Sequence, residues 1–161
     1  MIAIALMLSS LLQDTVDNPE YRGWVGFKPG SSVTYTSSRN GTPTEGSQKT
    51  TLKSISDTEA ILEMEIVRNG AVIGKPFERK VPAKVPAAMA GNVLKSGEEE
   101  IDVGGKKRTC PWKEMEKTLP SGKTGTSKIW IADDIPGRVA RIELTGEAGK
   151  IVMSPSEWDR K

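Results

Sequence analysis

Runs of alternating apolar and polar residues, separated by glycine-containing turn pairs, fill most of this chain after residue 32. From Ala60 to Ile66 every second residue is apolar, and Glu63 and Glu65 lie between them. Because successive side chains of a strand point to opposite faces, such a run buries one face and exposes the other. One wet face per strand is typical of an antiparallel sheet rather than of a buried parallel one.

Turn signals divide the chain into short strands. The pairs at 40–41, 69–70 and 104–105 are Asn-Gly, Asn-Gly and Gly-Gly, which supply the positive φ angles that two-residue hairpin loops need. The runs between the turn signals predict nine strands: 33–37, 48–55, 60–68, 71–81, 99–103, 106–118, 127–132, 138–144 and 150–153. The predicted fold class is mainly β, a curved antiparallel meander sheet (half-barrel or open barrel) with one short N-terminal helix.

The helix is predicted over residues 18–28. Asn18 is a favourable N-cap, Pro19 suits the first helical position, and Glu20 places a negative charge at the helix N-terminus. Pro29 and the glycine after it end the pattern, since proline cannot continue a helix. The sequence therefore predicts a short helix that packs on the sheet.

Residues 1–13 are predicted to be the h-region of a signal peptide, because Met1 to Leu12 carries no charged side chain and the chain then turns polar. The alternative is a buried N-terminal helix or strand. The stretch is shorter than the roughly 20 apolar residues that span a bilayer, so no stable membrane span is predicted. Residues 14–161 are predicted to form a single β-rich domain, in which the proline-interrupted segment 82–93 is a crossover or lid. We expect an exported protein, periplasmic or extracellular.

The chain contains no histidine. This absence excludes the catalytic arrangements that use a histidine base and the zinc sites that use histidine ligands. The formal net charge of +2 is too small to indicate a nucleic-acid partner. Cys110 is the sole cysteine, so no intrachain disulfide can form. No catalytic residue, metal site or cofactor is predicted, and we expect the chain not to be an enzyme.

Two chemical alternatives stay open. Cys110 follows basic residues such as Arg108, which lower a thiol pKa and favour a reactive thiolate; the other interpretation is a small buried side chain in a strand. The carboxylates within 98–102, and the pair Asp133 and Asp134, are candidates for a hydrolase that works through paired acids. Neighbouring residues of a strand point to opposite faces, so these carboxylates are expected instead on a solvated strand and in a polar turn.

Trp112, Trp130 and Met64 are the candidate ligand-binding residues. In a curved sheet, large apolar side chains of this kind can line a cavity for an apolar ligand. The alternative is that the tryptophans fill the core or its rim, which is the commoner use of buried aromatics.

Two segments resemble small exported bacterial proteins. The first is Trp24-x-x-Phe27-Lys28-Pro29-Gly30-Ser31-x-Val33, and the second is Lys128-x-Trp130-x-x-Asp133-x-x-Pro136-Gly137-x-Val139. The second segment also resembles the strand-turn-strand of periplasmic lipoprotein carriers of the LolA type and of related half-barrel proteins. That resemblance implies a curved antiparallel sheet, closed by a short helix or lid, that holds an apolar guest on its concave face.

The function predicted from the sequence is that of a non-enzymatic exported β domain. It binds an apolar or amphiphilic ligand such as a lipid, or a protein partner in the cell envelope. The alternatives are a carboxylate-based hydrolase and a purely structural interaction module.

Overall fold

Residues 14–118 and 122–161, which the computed structural model of the chain describes, form eleven strands and one α-helix. The predicted signal-peptide region lies outside these residues. The elements are Thr15–Asp17 (β1), Pro19–Trp24 (α1), Ser32–Arg39 (β2), Thr42–Ile55 (β3), Glu59–Arg68 (β4), Ala71–Pro82 (β5), Lys84–Pro86 (β6), Val93–Val103 (β7), Lys106–Thr118 (β8), Thr124–Ile131 (β9), Val139–Gly146 (β10) and Gly149–Asp159 (β11), with a 3-10 turn at Ala87–Met89.

Nine of the strands form one antiparallel sheet in the order β5-β4-β3-β2-β11-β10-β9-β8-β7. Two meanders, β2 to β5 and β7 to β11, meet where β2 pairs with β11. The edges are β5 and β7, and the chain crosses from one to the other through residues 83–92, where β6 pairs with β1 in a separate two-stranded sheet. The sheet is thus curved but not closed, and the predicted fold class is confirmed.

The predicted hairpin turns form where the glycine pairs stand. Asn40 and Gly41 have φ angles of 50° and 83°, and Arg39 pairs directly with Thr42 on either side of them. Positive φ at both positions matches the twist of the two flanking strands. The loops at 69–70 and 104–105 have the same length, and both of their residues also have positive φ angles.

Three strands extend six residues beyond the predicted bounds at one end. β3 begins at Thr42 rather than at 48, β7 begins at Val93 rather than at 99, and β11 continues to Asp159 rather than to 153. The added segments contain glycine, proline or irregular alternation, and register shifts interrupt their pairing. Backbone pairing with a neighbouring strand holds them in the sheet, which a local pattern does not reveal.

Helix α1 is confirmed but ends at Trp24, four residues before the predicted end. Asn18 caps it by accepting a hydrogen bond of 3.0 Å from the backbone N–H of Glu20. Gly26 then takes a φ of 92°, in the left-handed region that glycine tolerates. The chain therefore leaves the helix before it reaches Pro29.

The inner face of the sheet is the one that carries Val33, Leu52 and Leu62, and α1 covers part of it. Leu52 lies directly opposite Leu62, and Arg79, opposite Leu62 on β5, donates hydrogen bonds to Glu20 of the helix. Val33, Leu52 and Leu62 are each at most 1% exposed. The helix thus covers this part of the inner face, and the covered side chains form a closed core.

The core continues to the hairpin of β7 and β8. Gly104, at its turn, lies so near Trp158 that a Cβ there would be 3.0 Å from the tryptophan ring. Trp158 belongs to β11, four positions away from β7 in the strand order, so the sheet curls strongly. Ile135 of the loop before β10 is fully buried, and Asp134 beside it binds Arg108 of β8. The described residues contain no helix with the length and hydropathy of a membrane span.

Candidate functional site

Beyond helix α1, the inner face of β4 and β5 loses its cover. Leu62 is 1% exposed, but Ile66, Ile73 and Phe77 are 42%, 47% and 51% exposed. Met64 lies directly opposite Phe77, and Ile66 lies opposite Ile73, so the four side chains form two neighbouring cross-strand pairs. Large apolar side chains are therefore exposed to solvent on the face that the helix buries farther along the strands.

A second group of apolar residues lies on the same face at the centre of the sheet, separated from the first by polar residues such as Gln48 of β3 and Ser37 of β2. Ile142 of β10 lies between Ile129 of β9 and Met153 of β11 in the strand pairing. Met153 is opposite Ser37, which alternation places on the same face as Val33. This row of partly buried side chains thus belongs to the inner face.

A second row leads to the other edge of the sheet. Leu144 lies between Ile151 and Ser127, and Ser127 is opposite Met115, which in turn pairs with Val93 on β7. We call the uncovered apolar part of the inner face the open inner surface. Its members are Met64, Ile66, Ile73, Phe77, Val93, Met115, Ile129, Ile142, Leu144, Ile151 and Met153.

The two predicted tryptophans lie elsewhere. Trp112 and Trp130 are directly opposite each other on β8 and β9, and Trp130 is 2% exposed. Trp130 belongs to the same buried core as Leu52 and Leu62, and Trp112 packs against that core, as in the interpretation that the tryptophans fill the core or its rim. Because Trp130 follows Ile129 in the strand, the two side chains point to opposite faces of β9. The Nζ of Lys128 lies 4.0 Å from the ring centroid of Trp112 and 4.4 Å from that of Trp130, a cation–π contact with both rings. The structure thus brings the tryptophans together around a lysine and places Met64 apart from them, within the open inner surface.

Glu99 completes this cluster from the edge strand β7. It accepts hydrogen bonds from Lys128 Nζ at 2.8 Å and from Trp130 Nε1 at 3.2 Å. The hydrogen bond from Lys128 is the main cause that lowers the pKa of Glu99 below its ordinary value. These contacts connect the edge strand to β9.

Three of the other acidic residues singled out in the sequence, Glu100, Asp133 and Asp134, are also paired with bases. Asp134 accepts hydrogen bonds of 2.7 Å at both oxygens from Arg108 Nη1, which lowers its pKa. Glu100 lies 3.3 Å from the Nζ of Lys107. Within residues 14–118 and 122–161, no group of three or more acidic or cysteine side chains is arranged to hold a metal ion.

Cys110 is 2% exposed in the core. Burial raises the pKa of its thiol and outweighs the opposing effect of the Arg108 charge, which argues against the reactive-thiolate alternative. A thiol that is buried and protonated is a poor nucleophile. The interpretation as a small packed side chain agrees with this environment.

Two surface grooves lie outside the open inner surface. The larger, of about 610 Å³, is mostly polar and is lined by Ser32, Thr34, Lys49, Gly104, Ser156, Glu157, Trp158 and Asp159. The smaller, of about 350 Å³, is next to α1 and is lined by Asp17, Tyr21, Arg22, Val25, Asp57, Ala83 and Lys84. In the second groove, hydrogen bonds from Lys84 and Arg22 lower the pKa of Asp17 to about 2. That ionic cluster fastens β1 and α1 to the crossover segment.

Sequence reasoning missed most of the open inner surface. Strand β5 was predicted, but Gly74 and Pro76 interrupt its alternation, and its register with β4 shifts between Met64 and Ile66. The faces of Ile73 and Phe77 follow only from the pairing. Their apolar character was visible, but their exposure was not, because it depends on where α1 ends over the sheet.

No protein-family model matches the chain, and no curated protein matches it by sequence. Solved structures match it in fold. One is a protein of Bacteroides fragilis described as exported, with a YmcC-like fold, at 9% identity and a TM-score of 0.55, with 83% of this chain and 97% of that chain covered. The protein CT021 of Chlamydia trachomatis matches at 8% identity and a TM-score of 0.52, over 91% of this chain and 93% of its own.

MucB of Pseudomonas aeruginosa, in its complex with MucA, matches at 12% identity and a TM-score of 0.50. The match covers 89% of this chain but 55% of the MucB chain, so the chain spans about half the length of that protein. At these identities the likeness concerns the fold. The curved, open antiparallel sheet implied by the sequence resemblance is confirmed.

Proposed function

We propose that this chain is a non-enzymatic exported domain that holds an apolar or amphiphilic guest on its open inner surface. One observation carries the proposal: the inner face presents Ile66, Ile73 and Phe77 together with Met64 as two cross-strand pairs, and the first three are 42–51% exposed. Isolated exposed apolar residues are ordinary on a soluble domain, but a contiguous set on a concave face is typical of a binding surface. Met64, predicted from the sequence as a ligand residue, is the innermost member of this set next to the helix.

The fold comparisons support the proposal at the level of architecture. One neighbour is described as an exported protein, and MucB is bound to a protein partner, MucA. The apolar residues 1–12 support export of this chain. An envelope protein that presents an apolar segment is a guest of the same chemical kind as a lipid.

Neighbouring residues of β5 provide a matched test. Ile73 and Val72 are exposed to the same degree, 47% and 48%, but alternation places them on opposite faces of the sheet. A titration with the neutral apolar dye Nile red compares the wild type with the Ile73→Ser and Val72→Ser variants. We expect Ile73→Ser to weaken dye binding about three- to tenfold, roughly the affinity that a few apolar carbons supply, and Val72→Ser to leave it unchanged.

The same titration can also contradict the proposal. Equal effects of the two substitutions, or no saturable binding by the wild type, would mean that the open inner surface is not the binding site. Phe77→Ser serves as the second variant, since Phe77 is 51% exposed and its replacement leaves the closed core intact.

The polar groove supplies the location for a second candidate function, the carboxylate-based hydrolase. Glu157 and Asp159 stand two residues apart on β11, and both line this groove beside Trp158. Asp159 lies 2.5 Å from the Nζ of Lys161. If the chain is a hydrolase that uses Glu157, the Glu157→Gln variant should lose hydrolytic activity. If our proposal holds, that variant should bind Nile red like the wild type.

A further inference from the structure

The charged residues among the rows of the open inner surface are basic. Lys113 lies opposite Ile129, Arg39 lies opposite Ile151, and Arg68 is two residues from Ile66 along β4. Pairing and alternation place all three on the inner face. The nearest carboxylate on that face belongs to Glu98 of the edge strand β7, two residues from Ser96, which lies opposite Lys113.

These three cations take part in none of the ion pairs of the described residues. The acids of β4 lie on the opposite face, where Glu63 is 3.2 Å from Lys53 and Glu65 is opposite Lys49. The acids of β4 are thus matched by lysines on their own face, and the three cations of the open side stay without an acidic partner in the described part of the chain. Such a surface attracts negative charge to a site that is otherwise apolar.

We infer that the guest of the open inner surface is an anionic amphiphile. Its acyl chain lies along the apolar rows, and the positive charges of Arg39, Arg68 and Lys113 around those rows favour an anionic head. This inference rests on the proposed function and adds the charge of the guest to it. The apolar rows supply most of the affinity, because exposed charges contribute little each, and the cations supply the preference for an anionic head.

The test uses one probe in two charge states: 11-(dansylamino)undecanoic acid, which is anionic at pH 7, and its neutral methyl ester. Fluorescence titrations at low salt give the dissociation constant of each, because exposed charges are screened in high salt. We expect the wild type to bind the acid about tenfold more tightly than the ester. The triple variant Arg39→Gln, Arg68→Gln, Lys113→Gln should bind acid and ester alike, with the affinity for the ester unchanged.

A second triple variant controls for net charge. Lys49→Gln, Lys80→Gln and Lys95→Gln remove the same number of positive charges from residues that pairing places on the opposite face, where Lys49 is opposite Thr34, Lys80 is opposite Ile61 and Lys95 is opposite Glu114. This variant should keep the preference for the acid. An equal loss in both triple variants overturns the inference, because the preference then belongs to the net charge of the molecule.

The remaining outcomes separate the two proposals. Wild-type protein that binds the ester as tightly as the acid overturns the anionic preference and leaves guest binding in place. Failure to bind either probe overturns the proposed function and the inference with it. Displacement of the bound acid by acetate at equal concentration also overturns the inference, since an anion without a chain would then suffice.

Discussion

Strand β4 carries four apolar residues on its inner face, and helix α1 covers only half of them. Ala60 and Leu62 lie under the helix and are at most 1% exposed, whereas Met64 is partly exposed and Ile66 is 42% exposed. The alternation is the same in both halves of the strand. Whether an inner-face residue becomes core or binding surface is therefore decided by the element that covers it, which lies some forty residues away in the sequence.

The largest expected loss of stability comes from a substitution in the half of β4 that the helix covers. Leu62→Ala removes a fully buried side chain beneath the helix and should reduce the free energy of unfolding by about 2–5 kcal/mol. Urea unfolding monitored by tryptophan fluorescence measures it. A change below about 1 kcal/mol would mean that α1 does not close the core.

The next largest loss of stability is expected where helix α1 packs against the loop before β10. A Cβ at Gly23 would lie 2.4 Å from the carbonyl oxygen of Gly137, which is backbone and cannot rotate away. Gly23→Ala should therefore cost about 1–3 kcal/mol despite the better helix propensity of alanine. Gly97→Ala is the control, because its Cβ meets only the ring of Trp112, at 3.0 Å, and should cost less. A Gly23→Ala variant as stable as the wild type would contradict the packing of α1.

In the open half of β4, a substitution should affect ligand binding more than stability, the reverse of the covered half. Because Ile66 is already 42% exposed, Ile66→Ala should change the free energy of unfolding by less than about 1 kcal/mol. The same substitution should weaken Nile red binding several-fold. A large loss of stability without a loss of binding would place Ile66 in the core.

The smallest effect lies at the cluster of Glu99, Lys128 and the two tryptophans. Lys128 lowers the pKa of Glu99, so the ionised carboxylate stabilises the fold above its ordinary pKa, and this contribution is lost as the pH falls through the lowered value. Glu99→Gln should cost less than about 1 kcal/mol at pH 7. The difference from the wild type should vanish in acid, which urea unfolding at several pH values can measure.

Much of the fold followed from local pattern. The nine predicted strands are the nine of the main sheet, and the Asn-Gly and Gly-Gly loops formed as expected, because alternation and positive φ are properties of neighbouring residues. The pairing of β2 with β11 was out of reach, since no local signal states which distant strands meet. The short strands β1 and β6 were missed for the same reason.

The site was predictable only in part. Met64 was identified by its apolar character and lies where the inner face opens, whereas Trp112 and Trp130 were chosen by the same reasoning and lie around Lys128, with Trp130 in the buried core. The role of the three residues in ligand binding stays a prediction. Register separates them, because a strand residue changes face with a shift of one position.

Photolabelling tests the central claim most directly. An acyl chain with a terminal diazirine, irradiated with the protein and mapped by peptide mass spectrometry, reports which side chains the guest touches. The account predicts saturable labels on inner-face residues such as Ile66, Phe77, Ile142 and Met153, and none on Val72 or Val67. Labels that fall mainly on Val67 and Val72, or in the polar groove around Trp158, would contradict it.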